Sequence, residues 1–275
     1  MRLGGFSADL KNYSAEITDV NKSVLKFLWS HKTHSFFIFV LPACLSVVVG
    51  YAMADDLTFA LIPLIIPVWS YWHVRSRMNR LFYTNLATEL GCVYSESGDV
   101  PTSGQLFTFG HSHMVRNVLS GSYKNISFRL FDYSYEIGSG KNRHTYYFTV
   151  AELVVANTLP RVLCIPDGWN IVSFIDTWKP DGYTPLSLEG GFNNTFNVYV
   201  QKDREMEALQ ILEPNVMEKL MDGFSDFGFE CIDSRVYLFT KGAGKDNRES
   251  VLSAFSLTKR FCDLLLPELQ SFLRN

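Results

Sequence analysis

From Ser35 to Val74 the chain has no Lys and no Arg, and the adjacent acids Asp55 and Asp56 are the only formal charges it carries there. A water-facing helix of that length shows a polar face every 3.6 residues, and neither Ser35–Ala54 nor Leu57–Val74 has one. Each run approaches the ~20 residues that cross a bilayer as a helix. The missing charge therefore predicts a transmembrane helical hairpin over 35–74. Pro42, Pro63 and Pro67 fit that reading, because carbonyls freed by proline find other donors inside a membrane bundle.

Other shortages narrow the field. Five cysteines, Cys44, Cys92, Cys164, Cys231 and Cys262, are odd in number and form no C-x-x-C spacing, so they read as buried small hydrophobes rather than a disulfide framework. Basic charge is short as well. Residues 81–275 hold 17 Lys and Arg against 23 Asp and Glu, the opposite of a nucleic-acid footprint. Repeats of solenoid period and low-complexity linkers are absent. The first apolar run starts too far from the N-terminus, and the second follows too closely, for a cleaved signal peptide.

What is present orients the hairpin. Lys22, Lys26 and Lys32 precede the first run, Arg75, Arg77 and Arg80 follow the second, and the tip between them carries only acids. The positive-inside rule then predicts a two-pass protein of the cell inner membrane with both termini cytoplasmic. Trp69, Tyr71 and Trp72 stand where an interfacial aromatic belt is expected. Four segments follow from this reading. Residues 1–34 form an amphipathic arm, with Ile17, Val20, Val24, Phe27 and Leu28 on one helical face, lying either on the membrane or on the domain. The hairpin occupies 35–74, a connecting helix 75–90 ends at Gly91, and residues 91–275 form a cytoplasmic α+β domain.

Strand patterns dominate the middle of that domain. Gln105–Gly110 and Val115–Tyr123 read as strands, and Ile126–Ile137 alternates well enough for a half-buried one. Gly138–Arg143 reads as the turn of a long hairpin returning over His144–Val155. Val162–Ile165 and Phe196–Val200 read as further strands. Asp203 is a candidate N-cap for a helix over Arg204–Leu212, and Pro214 suits the first turn of the next, Pro214–Asp222. Phe229–Ile232 and Arg235–Thr240 read as a second hairpin turning at Asp233-Ser234. A last helix opens at Asp246-x-x-Glu249 and buries Val251, Phe255, Thr258, Cys262, Leu265 and Leu269. The expected fold is α+β: a transmembrane helical hairpin followed by a largely antiparallel sheet with helices packed on one face. A pleckstrin-like barrel is the alternative closure.

The stretch from Gly110-His-Ser-His113 through Arg116-Asn117, Ser120-Gly-Ser-Tyr123 and Phe131-Asp-Tyr-Ser-Tyr135 to Gly138-Ser-Gly-Lys141 resembles uncharacterised prokaryotic membrane-anchored proteins. Phe196–Tyr199 and Leu212-Glu-Pro214 are similar to later segments of the same proteins. The resemblance covers roughly 85–240. It implies a short transmembrane hairpin followed by a cytoplasmic α+β domain and no assigned activity.

Chemistry-bearing motifs are weak. Gly138-Ser-Gly-Lys141 lacks the first glycine and the Ser or Thr of a P-loop and joins two strands, so it reads as a turn. Gly242-Ala-Gly-Lys245 fails the same test. Lys141, Arg143, Lys245 and Arg248 remain candidate contacts for a ligand or anionic lipid. His111 and His113, with His144, fall short of a zinc set because supporting ligands are missing. Asp132 and Glu136 share a strand face but show no pocket. Tyr133, Tyr135, Tyr146, Tyr147 and Phe148 read as cross-strand pairs or as a partner-binding face. No catalytic residue, cofactor or metal is assigned. The functional expectation is a membrane-anchored cytoplasmic interaction or assembly module. Its partners would be the lipid bilayer and either another protein or a second copy, with no nucleic acid. The alternative is a membrane-bound enzyme or ligand-binding domain with a site that the sequence does not reveal. A third reading, an oligomerising hairpin or small pore, lacks the intramembrane charge that conduction uses.

Overall fold

The computed structural model describes residues 19–30, 40–52, 65–169, 182–188, 191–242 and 247–267. Two compact units emerge, Met1–Leu90 with Lys245–Val251, and Gly91–Gly244 with Leu252–Asn275.

The first unit is helical. Helix α1, Val20–Ser30, starts where Asp19 Oδ1 accepts the Lys22 N–H at 3.0 Å, satisfying an amide that the helix itself leaves open. Helix α2 spans Leu41–Ala52 and α3 spans Ile65–Leu90. Val20 and Val24 are buried, as are Met78 and Phe82 on α3, and α1 packs against α3. Arg75 donates to Asn21 Oδ1 at 3.1 Å along the same contact. A single antiparallel bridge joins Asp19 to Asn247.

This unit corrects the membrane reading. Helix α3, Ile65–Leu90, carries Arg75, Arg77 and Arg80 along its middle. Among the described residues no helix is long and apolar enough to cross a membrane. The expected hairpin, the two-pass topology and the inner-membrane localisation are therefore withdrawn. Asp55-Asp56 and the remaining parts of both apolar runs lie outside the described residues. Hydropathy counts apolar side chains over a window, and α3 turns polar from Arg75 onward. Val47, Val48 and Tyr51 on α2, and Trp69 and Trp72 on α3, are exposed.

The second unit is built on one antiparallel sheet of seven strands: β1 Val93–Ser97, β2 His111–Tyr123, β3 Ile126–Ile137, β4 His144–Pro166, β5 Tyr183–Leu186, β6 Phe196–Gln201 and β7 Gly228–Lys241. Their order is β1-β2-β3-β4-β6-β5, with β7 pairing β4. One side of β4 thus meets β3 along its first half and β6 along its second, while β7 runs beside both halves. The expected strand Val162–Ile165 is the second half of β4. The expected hairpin at Asp233-Ser234 is a corner within β7.

That corner shapes the unit. A straight strand would hold Gly228 and Phe239 roughly 36 Å apart. Yet a Cβ added to Gly228 would stand 2.3 Å from the Phe239 ring, so β7 must double back on itself. Asp233 sits at φ 52, and opposite it β4 uses extra residues, Val154 facing Arg235 and Leu159 facing Asp233. Such bulges bend a strand pair and increase its twist. The result is a curled sheet with an inner and an outer face.

Aromatic side chains fill the inner face: Tyr133, Tyr135 and Phe148 from the first half with Tyr237 and Phe239 from β7, joined by Leu163 and Ile165 from the second half. Gly98–Gly110 crosses this face. Its expected strand is instead a short turn, Gln105–Thr108, which seats Phe107 edge-on against Tyr133 and Tyr237, both at 5.0 Å.

Helices cover the outer face. They are α4 Glu205–Ile211, α5 Pro214–Phe224, with its proline in the first turn, and α6 Arg248–Leu264. Asp203 takes φ 67 rather than capping α4. For α6 the cap is Asn247, whose Oδ1 accepts the Ser250 N–H at 2.8 Å; Asp246 and Leu269 lie outside the described residues. Phe261 of α6 meets Phe224 of α5 and Phe229 of β7, and Phe255 meets Phe128 of β3. The α+β class, the antiparallel sheet and the helices on one face stand without the hairpin.

Candidate functional site

Alternation sorts the long β3–β4 hairpin into two chemical faces. On the inner side Tyr133 pairs with Phe148 and Tyr135 with Tyr146. Tyr133, Tyr135 and Phe148 are each at most 1% exposed, and of the five expected partner-face residues Tyr146 and Tyr147 keep open surface. Burial raises the Tyr133 and Tyr135 hydroxyl pKa values far above the usual phenol range. Tyr133 Oη lies 2.7 Å from His113 Nδ1, and Tyr237 Oη lies 3.0 Å from Ser103 Oγ.

Two carboxylates are buried on this face. Glu152 sits between Arg129 and Arg235, which both bond to it. Among the described residues Glu230 has only neutral donors in contact: Tyr183 Oη donates to Oε1 at 2.8 Å, and the Gln105 N–H donates to Oε2 at 2.7 Å. Burial pushes the Glu230 carboxyl up to about 7, against the opposing pull of those two bonds and of the Arg161 charge. These acids stand out in the sequence only as single charges inside apolar strand runs.

The outer side presents cross-strand rows. At the tip, His111 pairs with Glu136 and Glu136 with Thr145. Next come Met114, Ser134 and Tyr147, then Arg116, Asp132 and Thr149. Beyond them Leu119 and Leu130 are buried, on the part of the face that α6 covers. Tyr147 is 53% exposed and Met114 40%. Asp132 is held by Asn117, at 2.9 Å, and by Thr149, at 3.5 Å. Glu136 faces Arg143 at 3.7 Å and His111 at 3.9 Å.

Two glycines allow the tip to close. A Cβ on Gly110, at φ 67, would stand 2.2 Å from the Glu136 carbonyl oxygen. One on Gly138, at φ 83, would stand 2.4 Å from that of Asn142. His111 Nε2 lies 2.9 Å from the Gly138 carbonyl oxygen. Ser112, at φ 55, breaks the extended run, so His111 joins the outer tip while His113 turns inward to Tyr133. Among the described residues no group of three His, Cys, Asp or Glu side chains could hold a metal ion.

The four expected basic contacts separate. Lys141 and Arg143 are exposed at the tip, in and after the turn Gly140–Asn142. Arg248 belongs to the helical unit, where it bonds to Glu89. Lys245 lies outside the described residues. Met114 was not among the expected site residues; Tyr147 was, and strict alternation from Phe148 places it on the face opposite Tyr133, Tyr135 and Phe148.

No protein-family model matches the chain, and no curated protein matches it. Among solved structures it is similar to the crystal structure of the mycobacterial trehalose monomycolate transport factor A. That protein is 14% identical, the match covers 67% of this chain and 92% of that one, and the TM-score is 0.45. A likeness this distant bears on neither fold nor function. The resemblance to membrane-anchored prokaryotic proteins is withdrawn with the hairpin that defined it. So are the bilayer as a partner and the membrane-anchored module or enzyme as a function.

Proposed function

We propose that the sheet unit is a protein-recognition module, and that the uncovered end of its outer face is the binding surface. The observation carrying this reading is the pair Tyr147 and Met114, exposed side by side across Ser134 on a face otherwise sealed by a helix. Tyr, Met and Arg are enriched where proteins meet. The most exposed charges around the pair are basic, Arg116, Lys141 and Arg143. The acids Asp132 and Glu136 are half-buried and already engaged. That balance favours a partner that offers an apolar side chain flanked by carboxylates.

A photo-crosslinker in place of Tyr147 in the full chain captures such a partner, which is then purified and titrated against variants. Tyr147→Ala should weaken binding by tenfold or more, as loss of an interface anchor does, and Met114→Ser by less. Met206→Ser, at an exposed site on α4, should leave affinity unchanged. Equal affinity for all three variants would remove the assignment.

A further inference from the structure

Glu230 does something beyond this binding surface. Its carboxylate reaches across the inner face to the backbone of the crossing segment Gly98–Gly110, through the Gln105 N–H. The rest of that segment is held by neutral contacts: Phe107 against Tyr133 and Tyr237, and Ser103 against the Tyr237 hydroxyl. The strap's closest polar attachment to the sheet therefore ends on a titratable group that is wholly buried.

We infer that Glu230 is a latch: protonated, it keeps the Gly98–Gly110 strap closed over the aromatic inner face, and its ionisation favours release of the strap. The physical cause is desolvation. With the strap seated, a charged Glu230 is out of water and, among the described residues, has no cation in contact. With the strap lifted, the same charge is hydrated.

The surrounding groups set the balance. From β5, Tyr183 donates to Glu230, and from β4, Arg161 acts at longer range. Arg161 is itself paired with Asp233 at 3.2 Å. From β7, Cys231 and Tyr237 feel the Glu230 charge, and burial raises each to about 12, so both stay neutral in the working range. The strap brings the Gln105 amide. Tyr183, Gln105 and Arg161 favour the ionised form, yet burial outweighs them and holds the closed-state carboxyl up at about 7.

The sign follows from linkage. The closed state binds the Glu230 proton more tightly than an opened state with a hydrated carboxyl, so opening grows as pH rises and levels off above the closed-state value. Between pH 5 and pH 8 the opening equilibrium should increase on the order of fiftyfold. An opened strap uncovers Tyr133, Tyr237 and the Glu230 carboxylate together.

Amide hydrogen exchange of the full chain tests this. Opening constants for the Gln105 and Phe107 amides, corrected for intrinsic exchange, should rise on the order of fiftyfold from pH 5 to pH 8. Leu130 and Phe131 on β3 should not follow. In Glu230→Gln the rise should vanish. A flat wild-type profile, or the same rise in Glu230→Gln, overturns the latch. Should Glu230→Gln fail to fold, Tyr183→Phe keeps the ring and removes a donor to the charged form, so the opening midpoint must move to higher pH. An unmoved or lowered midpoint overturns the latch equally.

Discussion

Glu152 and Glu230 lie on the same inner face, on neighbouring strands, and water reaches neither carboxylate. Their neighbourhoods are opposites. Glu152 is flanked by two guanidiniums that remain about a third exposed, so the buried charge is answered by opposite charges that keep part of their hydration. Glu230 is answered by a phenol and an amide, with Arg161 acting only from a distance. One arrangement ties β3, β4 and β7 together as a permanent clasp. The other leaves a charge poorly compensated at the contact where the strap meets the sheet. Equal burial is therefore compatible with opposite roles, and the partner's charge decides between them.

Breaking the clasp should have the larger effect. Glu152→Ala leaves two arginines without their acid and should destabilise the fold by about 3 kcal/mol, the low end for a broken buried pair because both guanidiniums keep some water. Urea melts of wild type and variant at pH 7 read this directly. A loss below 1 kcal/mol would make the clasp incidental.

The second site should respond to pH rather than to deletion. Because the folded carboxyl of Glu230 is raised, the fold binds its proton more tightly than the unfolded chain does. Stability contributed by the neutral form is complete below the ordinary carboxylate range and is lost as pH rises toward about 7. Glu230→Gln should remove this loss, so the variant gains on wild type by on the order of 2 kcal/mol between pH 5 and pH 8. Paired melts across that range measure the gain, and parallel curves would mean that Glu230 does not titrate as its surroundings dictate.

Tyr237→Phe sharpens the contrast further, since it removes the Ser103 bond beneath the strap and the phenol's bond to Arg235 while leaving both carboxylates in place. A loss of about 1 kcal/mol is expected, nearly independent of pH. A pH-dependent loss would mean that the phenol belongs to the Glu230 network.

Much of the sheet was legible because its signals are local. The alternation of Ile126–Ile137, the glycines of the Gly138–Arg143 turn and the proline at the start of α5 each act within a few residues. The errors share one cause. Asp233-Ser234 carries a turn signal, but both flanks of β7 are held by β4, so the same conformational freedom makes a corner instead of a hairpin. Gln105–Gly110 looks like a strand because Leu106 and Phe107 are apolar, yet those side chains seat on a distant aromatic cluster and need no ladder. The long uncharged run from Ser35 carried the membrane reading, but among the described residues no helix is long and apolar enough to cross a membrane. At the candidate binding surface, Lys141 and Arg143 could be read as an exposed turn. Met114 reaches the row beside Tyr147 only through the irregular register of β2, where Ser112 and Asn117 take positive φ.

By itself the sequence determined an α+β chain, an antiparallel hairpin with a glycine turn, and a helix-rich C-terminal third. Those follow from periodicity and from residues whose backbone preferences act locally. Tertiary structure decided where β7 bends and which parity of the hairpin faces inward. It also decided that one buried glutamate meets two arginines and the other a phenol and a backbone amide. Partners in a curled sheet come from strands far apart in the chain, and desolvation belongs to that assembled neighbourhood rather than to any residue's own side chain.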